Sequence, residues 1–441
     1  MAISISRSQL PEEILTQIYK DLTLTAKGLG RKGYKPKVSQ LIVFNDTIDD
    51  NIVIPIQYAR KKFNIQGLAK PQEVNFDVKP AKYREGQKEV FAEALKILCS
   101  HGSVFLQLHC GWGKTWMALN IIGAIRMRTM ILIHRKFLGK QFLKESELVI
   151  PGEVHIIDKK FDLKANMDKK VFICTERRAL KLPDWFIKNI DFIVIDEAKY
   201  WCTPDRVKAL LCFKPKFTMG LCAERERKDG FNSMLDMFFG PVIFRKSNKP
   251  FIVWKYHTKF EPTLEQQRFG KGPNWTLAMQ SLAYMEERNI VIRDICRLRA
   301  KDKIMILVTY VEHLQILEKM LIEVGESVGT FYGSKDNYKN CRILLATYSK
   351  AEMGFDDANL CEYFDGQRLN LLILGSFYKK EIEQSAGRVM RSDAPEIIDI
   401  VDDYSSLKKH SQVRDKWFRS RNGRVMPPEF IFPLKRGPSQ K

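Results

Sequence analysis

Leu108-His109-Cys110-Gly111-Trp112-Gly113-Lys114-Thr115 decides how this chain is read. It follows the apolar run Ser103-Val104-Phe105-Leu106-Gln107-Leu108 and precedes the helical pattern Trp116-Met117-Ala118-Leu119-Asn120-Ile121-Ile122. A strand, a glycine turn and a helix opening on Lys-Thr make a phosphate cradle. Gly111 and Gly113 let backbone N–H groups approach phosphate oxygens with no Cβ in the way. Lys114 can reach the β- and γ-phosphates of a nucleoside triphosphate, and the Thr115 hydroxyl can hold Mg²⁺. The helix turns its positive end toward the anion. The standard cradle has one more glycine, at the place where this chain has Leu108.

Two distant clusters complete this chemistry. Phe192-Ile193-Val194-Ile195 has the composition of a buried parallel strand, and Asp196-Glu197-Ala198-Lys199 follows it. Carboxylates at that end of a parallel strand stand where open α/β sheets bind ligands. Asp196 can share the Mg²⁺ with Thr115, and Glu197 can orient and deprotonate an attacking water. The alternative is that Asp196 and Glu197 only cap the next helix. Far downstream lies Gln384-Ser385-Ala386-Gly387-Arg388-Val389-Met390-Arg391. Arginines three apart face the same way on a helix. Their guanidinium groups can stabilise charge on a transferring phosphoryl group. Here the alternative is a basic surface turn. All three clusters occur in the order and context the chemistry needs.

The chain resembles the superfamily 2 helicases and translocases over about residues 80–415. Its flavour is that of the compact helicases of large DNA viruses and phages, of the transcript-release or branch-migration type. Tyr83-Arg84-Glu85-Gly86-Gln87 resembles the adenine-reading motif, with Gln87 as base reader. Ile131-Leu132-Ile133-His134-Arg135 and Val171-Phe172-Ile173-Cys174-Thr175 resemble strand-end motifs that touch nucleic acid. Gly220-Leu221-Cys222-Ala223-Glu224-Arg225-Glu226-Arg227-Lys228-Asp229-Gly230 resembles the coupling motif. Ala346-Thr347 through Gly354-Phe355-Asp356 resembles the motif that bridges nucleic acid and ATP. The resemblance implies an α/β fold with two RecA-like parallel-sheet motor domains in tandem. It implies a nucleic-acid-stimulated ATPase using ATP and Mg²⁺. Lys114, Glu197, Gln384, Arg388 and Arg391 would carry catalysis. Gln87, Gly111, Gly113, Lys114, Thr115, Gly354 and Asp356 would bind the nucleotide, and Thr115 and Asp196 the metal. Arg135, Thr175 and Thr347 would meet nucleic acid, and Lys199, Cys222 and Glu224 would couple the two.

Charge supports a nucleic-acid partner independently. The formal net charge is +21 over 441 residues. Such an excess on a soluble globular composition most often serves phosphate-backbone binding. An acidic membrane surface would call for a clustered basic amphipathic helix or a lipidation motif, and the sequence has neither. No apolar run approaches the ~20 residues of a membrane span. The opening Met-Ala-Ile-Ser-Ile-Ser-Arg lacks the apolar core of a secretory signal. The nine cysteines include no Cys-x-x-Cys, which disfavours zinc and points to an intracellular, reducing compartment. If the chain is viral, that means host cytoplasm, a virus factory or the virion.

The pattern along the chain predicts five segments. Residues 1–78 form an N-terminal accessory module, with strands at 41–44 and 52–55 around a turn and a basic loop between Leu22 and Asn45. Residues 79–245 form the first motor domain, in which strands alternate with helices. Residues 246–300 connect to the second domain, 301–412, and contain a helical segment from Asn274 to Arg299. Residues 413–441 form a basic tail. Its Trp417 and Phe418 suit either nucleic-acid contact or docking of a helix, and docking is the expectation for the aromatics.

Three positions depart from the family pattern. Lys199 stands where relatives carry His or Asp, and Cys222 and Glu224 where they carry Ser or Thr. We expect Lys199 and Glu224 to form an ion pair that replaces a hydrogen bond. The alternative sends Lys199 to solvent or to Gln384, and Glu224 to Arg225 or Arg227. Three functions remain open: a DNA helicase or translocase, which is favoured; an RNA-directed remodeller; and a catalytically weak tether. Transcription or replication proteins are candidate partners. The sequence sets no oligomeric state.

Overall fold

The computed structural model describes residues 1–26, 40–64, 73–75, 77–227, 229–245, 249–264, 274–351, 355–376 and 382–427. The basic loop from Lys27 to Lys37, Lys228, Gly354 and the tail beyond residue 427 lie outside the described residues. The chain divides into two compact units, Met1–Arg245 and Lys246–Lys441. Among the described residues no helix is long and apolar enough to cross a membrane.

The first unit is built on a seven-stranded sheet. Its spatial order is Val242–Arg245, Ser103–Leu108, Phe217–Cys222, Phe192–Ile195, Thr129–Ile133, Val171–Thr175 and Val154–Ile156. Every pairing is parallel. The central strands are β-branched and apolar and are buried along almost their whole length. Helices covering both faces of a parallel sheet demand this composition. The strand that follows Ser103–Leu108 in the chain, Thr129–Ile133, lies beyond Phe217–Cys222 and Phe192–Ile195. The strand order therefore switches beside Ser103–Leu108, and open α/β sheets place their ligand crevice at such a switch.

The N-terminal residues are part of this unit's core. Ala2–Ser6, Asn51–Pro55 and Asn45–Ile48 form an antiparallel sheet, with Ala2 opposite Pro55. Met1, Ile18, Leu22, Leu41, Ile52 and Ile54 are fully buried in one cluster with Trp201, Phe213 and Phe238. The predicted accessory module thus shares its apolar core with the motor sheet. The predicted 45–51 turn is also mostly strand. Asp49 adopts a left-handed conformation (φ 41°), which a short polar residue tolerates, and the reversal tightens to Asp49 and Asp50. Residues Gln40–Ile42 pair instead with Thr23–Thr25.

The second unit repeats the plan with seven parallel strands. The order is Val328–Phe331, Ile343–Thr347, Ile304–Val308, Leu371–Leu374, Glu396–Val401, Phe251–His257 and Gly423–Val425. Two expected boundaries are corrected here. Phe251–His257, predicted as connector, pairs with Glu396–Val401 from Ile252 opposite Glu396 to His257 opposite Val401. The signal was masked by Lys255, whose ammonium is buried against Asp399 and Ser411, each at 2.6 Å. The connector's helical segment is two helices, Trp275–Tyr284 and Glu286–Leu298. Asn274 caps the first by accepting from the N–H groups of Thr276 and Leu277, a strong start signal.

The tail is likewise structural as far as it is described. Helix Ser405–Ser420 buries Phe418 completely, and the ring of Trp417 lies 6.4 Å from that of Phe251. Arg414, one of the bases of the tail, donates to both Asp399 oxygens at 2.7 and 3.1 Å. Arg421 pairs with Glu383 at 2.8 Å. These guanidinium groups neutralise carboxylates of their own unit. All nine cysteines are free thiols.

Candidate nucleotide and nucleic-acid site

The phosphate turn leaves the strand Ser103–Leu108 and enters the helix Lys114–Ile125. Gly111 and Gly113 both have positive φ, 82° and 96°. A Cβ on Gly113 would stand 2.6 Å from a guanidinium nitrogen of Arg84 and 3.0 Å from Gln87 Nε2. The backbone conformation thus requires glycine there, and a Cβ would in addition displace the Arg84 guanidinium. Arg84 donates to the Trp112 carbonyl at 2.7 Å, and Gln87 Nε2 donates to the same oxygen at 2.8 Å. Gln87 Oε1 accepts from the Arg84 N–H at 2.9 Å. Gln87, expected as base reader, is 3% exposed and braces the cradle with each end of its amide.

Lys114 Nζ lies 3.4 Å from the Leu108 carbonyl. Burial works against its charge, but Cys110, Glu197, Asp196 and Cys222 outweigh burial and hold its proton above the ordinary lysine range. Asp196 follows the strand Phe192–Ile195 and is 7% exposed. Burial, and then the neighbouring Glu197 carboxylate, push its pKa up to about 7, with Lys114 opposing them. Two crowded carboxyl groups beside one ammonium, and a hydroxyl at Thr115, form an oxygen donor set that suits a divalent cation. The residues present therefore fit Mg²⁺.

Glu197 is left-handed (φ 48°) and stands at the first position of the short turn Ala198–Trp201 without making a side-chain cap bond. The capping alternative for this carboxylate is thus not adopted. The backbone strain of a non-glycine residue in this region persists only where its surroundings over-determine it. Some of those surroundings are visible. Trp201 Nε1 donates to the Asp196 carbonyl at 3.2 Å. Arg227 donates to the Lys199 carbonyl at 2.7 Å. Lys199 Nζ lies 3.2 Å from Glu224 Oε2. The Cys222 thiol donates to the Glu224 carbonyl at 2.6 Å, and its sulfur is 3.9 Å from Glu197 Oε2. Arg225 pairs with Asp236 and Arg227 with Asp229, so Glu224 keeps Lys199.

Arg135 and Thr175 stand at the same sheet edge as the cradle. Ile133, two residues before Arg135, pairs with Thr175 across adjacent strands. Arg135 is exposed and precedes the helix Lys136–Ser146, and Thr175 is half-buried. In the second unit, Thr347 ends the strand Ile343–Thr347 and is 5% exposed. Gln384 sits in the helical turn Glu383–Ala386. The helix expected to carry Arg388 and Arg391 ends before either, but both converge on one acceptor. They donate to the Phe355 carbonyl at 2.8 and 3.2 Å. Arg391 also pairs with Asp356 at 2.8 Å. Arg368 joins Asp356 at 2.9 Å. Burial would raise the Asp356 carboxyl, but Arg391 and Arg368 hold it below the usual carboxylate range. Neither arginine is a solvated surface turn.

Arg84, Arg368, His134 and Tyr200 were not singled out in the sequence. Arg84 adjoins a recognisable motif, but its target is a backbone carbonyl 28 residues away. No periodicity reports such a contact.

Known proteins resemble this chain in sequence and fold. Residues 80–227 match the family described as "Type III restriction enzyme, res subunit". "Putative helicase 161L" of Invertebrate iridescent virus 6 is 24% identical, covering 96% of this chain and 99% of its own. "Putative ATP-dependent RNA helicase L396" of Acanthamoeba polyphaga mimivirus is 25% identical over 94% of this chain and 83% of its own. Among solved structures, Dbp5 of S. cerevisiae bound to RNA and ADP BeF3 aligns with a TM-score of 0.55, at 11% identity, over 77% of this chain and 90% of that one. In motif set, fold and sequence, the chain is similar to the superfamily 2 helicases.

Proposed function

We propose that the chain is an ATP-driven motor that moves along or remodels DNA. The observation that carries this reading is the meeting of Lys114, Asp196 and Glu197 beside the phosphate turn, close enough to set one another's protonation. Lys114 holds the β- and γ-phosphates. Thr115 and Asp196 would hold Mg²⁺, which would supply charge neutralisation for those phosphates. Glu197 orients the attacking water and takes its proton. Arg388, Arg391 and Gln384 of the second unit are the candidates for the positive charge and orientation that a transferring phosphoryl group needs. Positioning and electrostatics then account for most of the acceleration. Arg135, Thr175 and Thr347 contact nucleic acid through its backbone, so little base preference is expected.

An RNA track is the second reading, supported by the name of the mimivirus relative. ATP hydrolysis measured alone and with single-stranded DNA, duplex DNA and RNA separates the readings. The DNA motor predicts stimulation by DNA above RNA. Stimulation by RNA alone would select the remodeller. Binding of nucleic acid without any hydrolysis would select the tether.

A further inference from the structure

We infer that the stacked rings of His134 and Tyr200 carry the signal from nucleic acid beside Arg135 to the turn that aims Glu197, an inference that rests on the motor reading above. The two segments leave the sheet side by side, because Leu132 pairs with Ile195 across adjacent parallel strands. His134 comes immediately before Arg135. Tyr200 lies one turn after Glu197, whose carbonyl accepts the Tyr200 N–H at 2.9 Å. The rings stack with centroids 4.7 Å apart and planes 22° from parallel.

That contact governs how the imidazole sits. Burial lowers the His134 pKa to about 4, so the ring is neutral at physiological pH. Its Nδ1 is buried without a hydrogen-bond partner among the described residues. Hydrogen bonding at that nitrogen therefore does not fix the ring, and the Tyr200 ring lies stacked against its face. Tyr200 is tied on its other sides. Its carbonyl accepts from Arg206, and Lys199 Nζ lies 5.8 Å from the centre of its ring. Lys199 is in turn held by Glu224. A displacement of Arg135 by a bound strand thus meets, in order, His134, Tyr200 and the left-handed Glu197. That strained residue needs several contacts to stay in place, and the stack is one that a nucleic-acid ligand can tighten. His134 and Tyr200 are positioning residues here, since they act through Glu197.

The test is steady-state ATPase of the full chain with and without saturating single-stranded DNA and RNA. An aromatic contact of ordinary strength sets the scale at about a tenfold fall in the stimulated-to-basal kcat ratio for Tyr200→Ala, with the KM for ATP held within about twofold. Tyr200→Phe and His134→Phe keep a ring pair and retain the ratio. His134→Ala, alone or combined with Tyr200→Ala, falls no further than Tyr200→Ala. A Tyr200→Ala ratio equal to the parent's, or a double variant whose loss is the product of the single losses, overturns the inference while leaving the motor reading intact. If Tyr200→Ala does not fold, Tyr200→Leu, which fills the space without a ring, takes its place, and a parent-like ratio there is equally fatal. A parent that no nucleic acid stimulates overturns both.

Discussion

Lys199 and Glu224 form a largely buried ion pair, 3.2 Å from Nζ to Oε2, with side-chain exposures of 8% and 14%. They come from the ends of the neighbouring strands Phe192–Ile195 and Phe217–Cys222. The pair thus joins the turn that carries Glu197 to the segment that carries Cys222. Where the family resemblance implies a neutral hydrogen bond, this chain uses two full charges. Breaking one side leaves the other charge without its partner in a partly dry site, which costs ~3–5 kcal/mol at the extreme and less where water enters.

The exchange Lys199→Glu with Glu224→Lys should therefore recover nucleic-acid-stimulated turnover better than Lys199→Ala or Glu224→Ala. A double-mutant cycle on stimulated ATPase measures the coupling. Additive losses with no recovery would show that each residue acts alone.

Lys114→Ala and Glu197→Gln should fail in different ways. Without its ammonium the cradle loses charge against the phosphates, so Lys114→Ala weakens both ATP affinity and turnover. Glu197→Gln keeps shape and loses the base, so ATP still binds while hydrolysis falls by about 10²–10⁴-fold. Nucleotide binding and single-turnover hydrolysis, measured on both variants, separate the effects. Parent-like hydrolysis in both would place the site elsewhere.

Arg84 offers a prediction the sequence did not suggest. Its guanidinium and the Gln87 amide both hold the Trp112 carbonyl, and beside them Gly113 has a φ of 96° that L side chains rarely adopt. Gly113→Ala should abolish ATP binding. Arg84→Ala, which loosens one of two braces, should weaken it by about tenfold, the value of one charge-assisted hydrogen bond. Nucleotide titration followed by fluorescence or calorimetry reads both. Equal affinity in Arg84→Ala would leave Gln87 as the brace that matters.

What could be read in advance followed physical type. The parallel strands were legible because burial on both faces enforces runs such as Phe192-Ile193-Val194-Ile195. The cradle was legible because phosphate binding needs glycine, Lys and Thr in a fixed order. Phe251–His257 was hidden because a buried ammonium at Lys255 is tolerated through carboxylates distant in sequence, Asp399 and Asp415, the first of them 144 residues away. Met1 and Ile18 share a core with Phe213, and nothing local to residues 1–78 announces such a distant partner. Arg414 reads only as one more base of the tail, because a lone basic residue carries no mark of an internal carboxylate. The Lys199–Glu224 pair was legible for the converse reason. Two departures of opposite charge, at motif positions that face each other, point to one another.

The Asp399 cluster yields the last prediction. Burial would raise the Asp399 carboxyl, but Arg414 and Lys255 hold it below its ordinary value of 3.8. A folded-state pKa below the unfolded one gives stability that is complete above the unfolded value. That stability is lost as pH falls through the folded value. Asp399→Asn should thus lower the stability of the second unit at pH 7 by about 3–5 kcal/mol, because two buried cations lose their shared carboxylate. The gap to the parent should then narrow as pH drops below 3.8, where the parent's carboxyl starts to take up protons in the unfolded chain. Removing residues 413–441 should act on the same unit, since it deletes Arg414, Phe418 and the edge strand Gly423–Val425. Thermal unfolding of parent, Asp399→Asn and the truncated chain at pH 3 to 7 measures all three. A truncated chain with parent-like unfolding and reduced DNA affinity would return the tail to the phosphate-binding role, and a gap that stays constant down to pH 3 would remove Asp399 from the acid response.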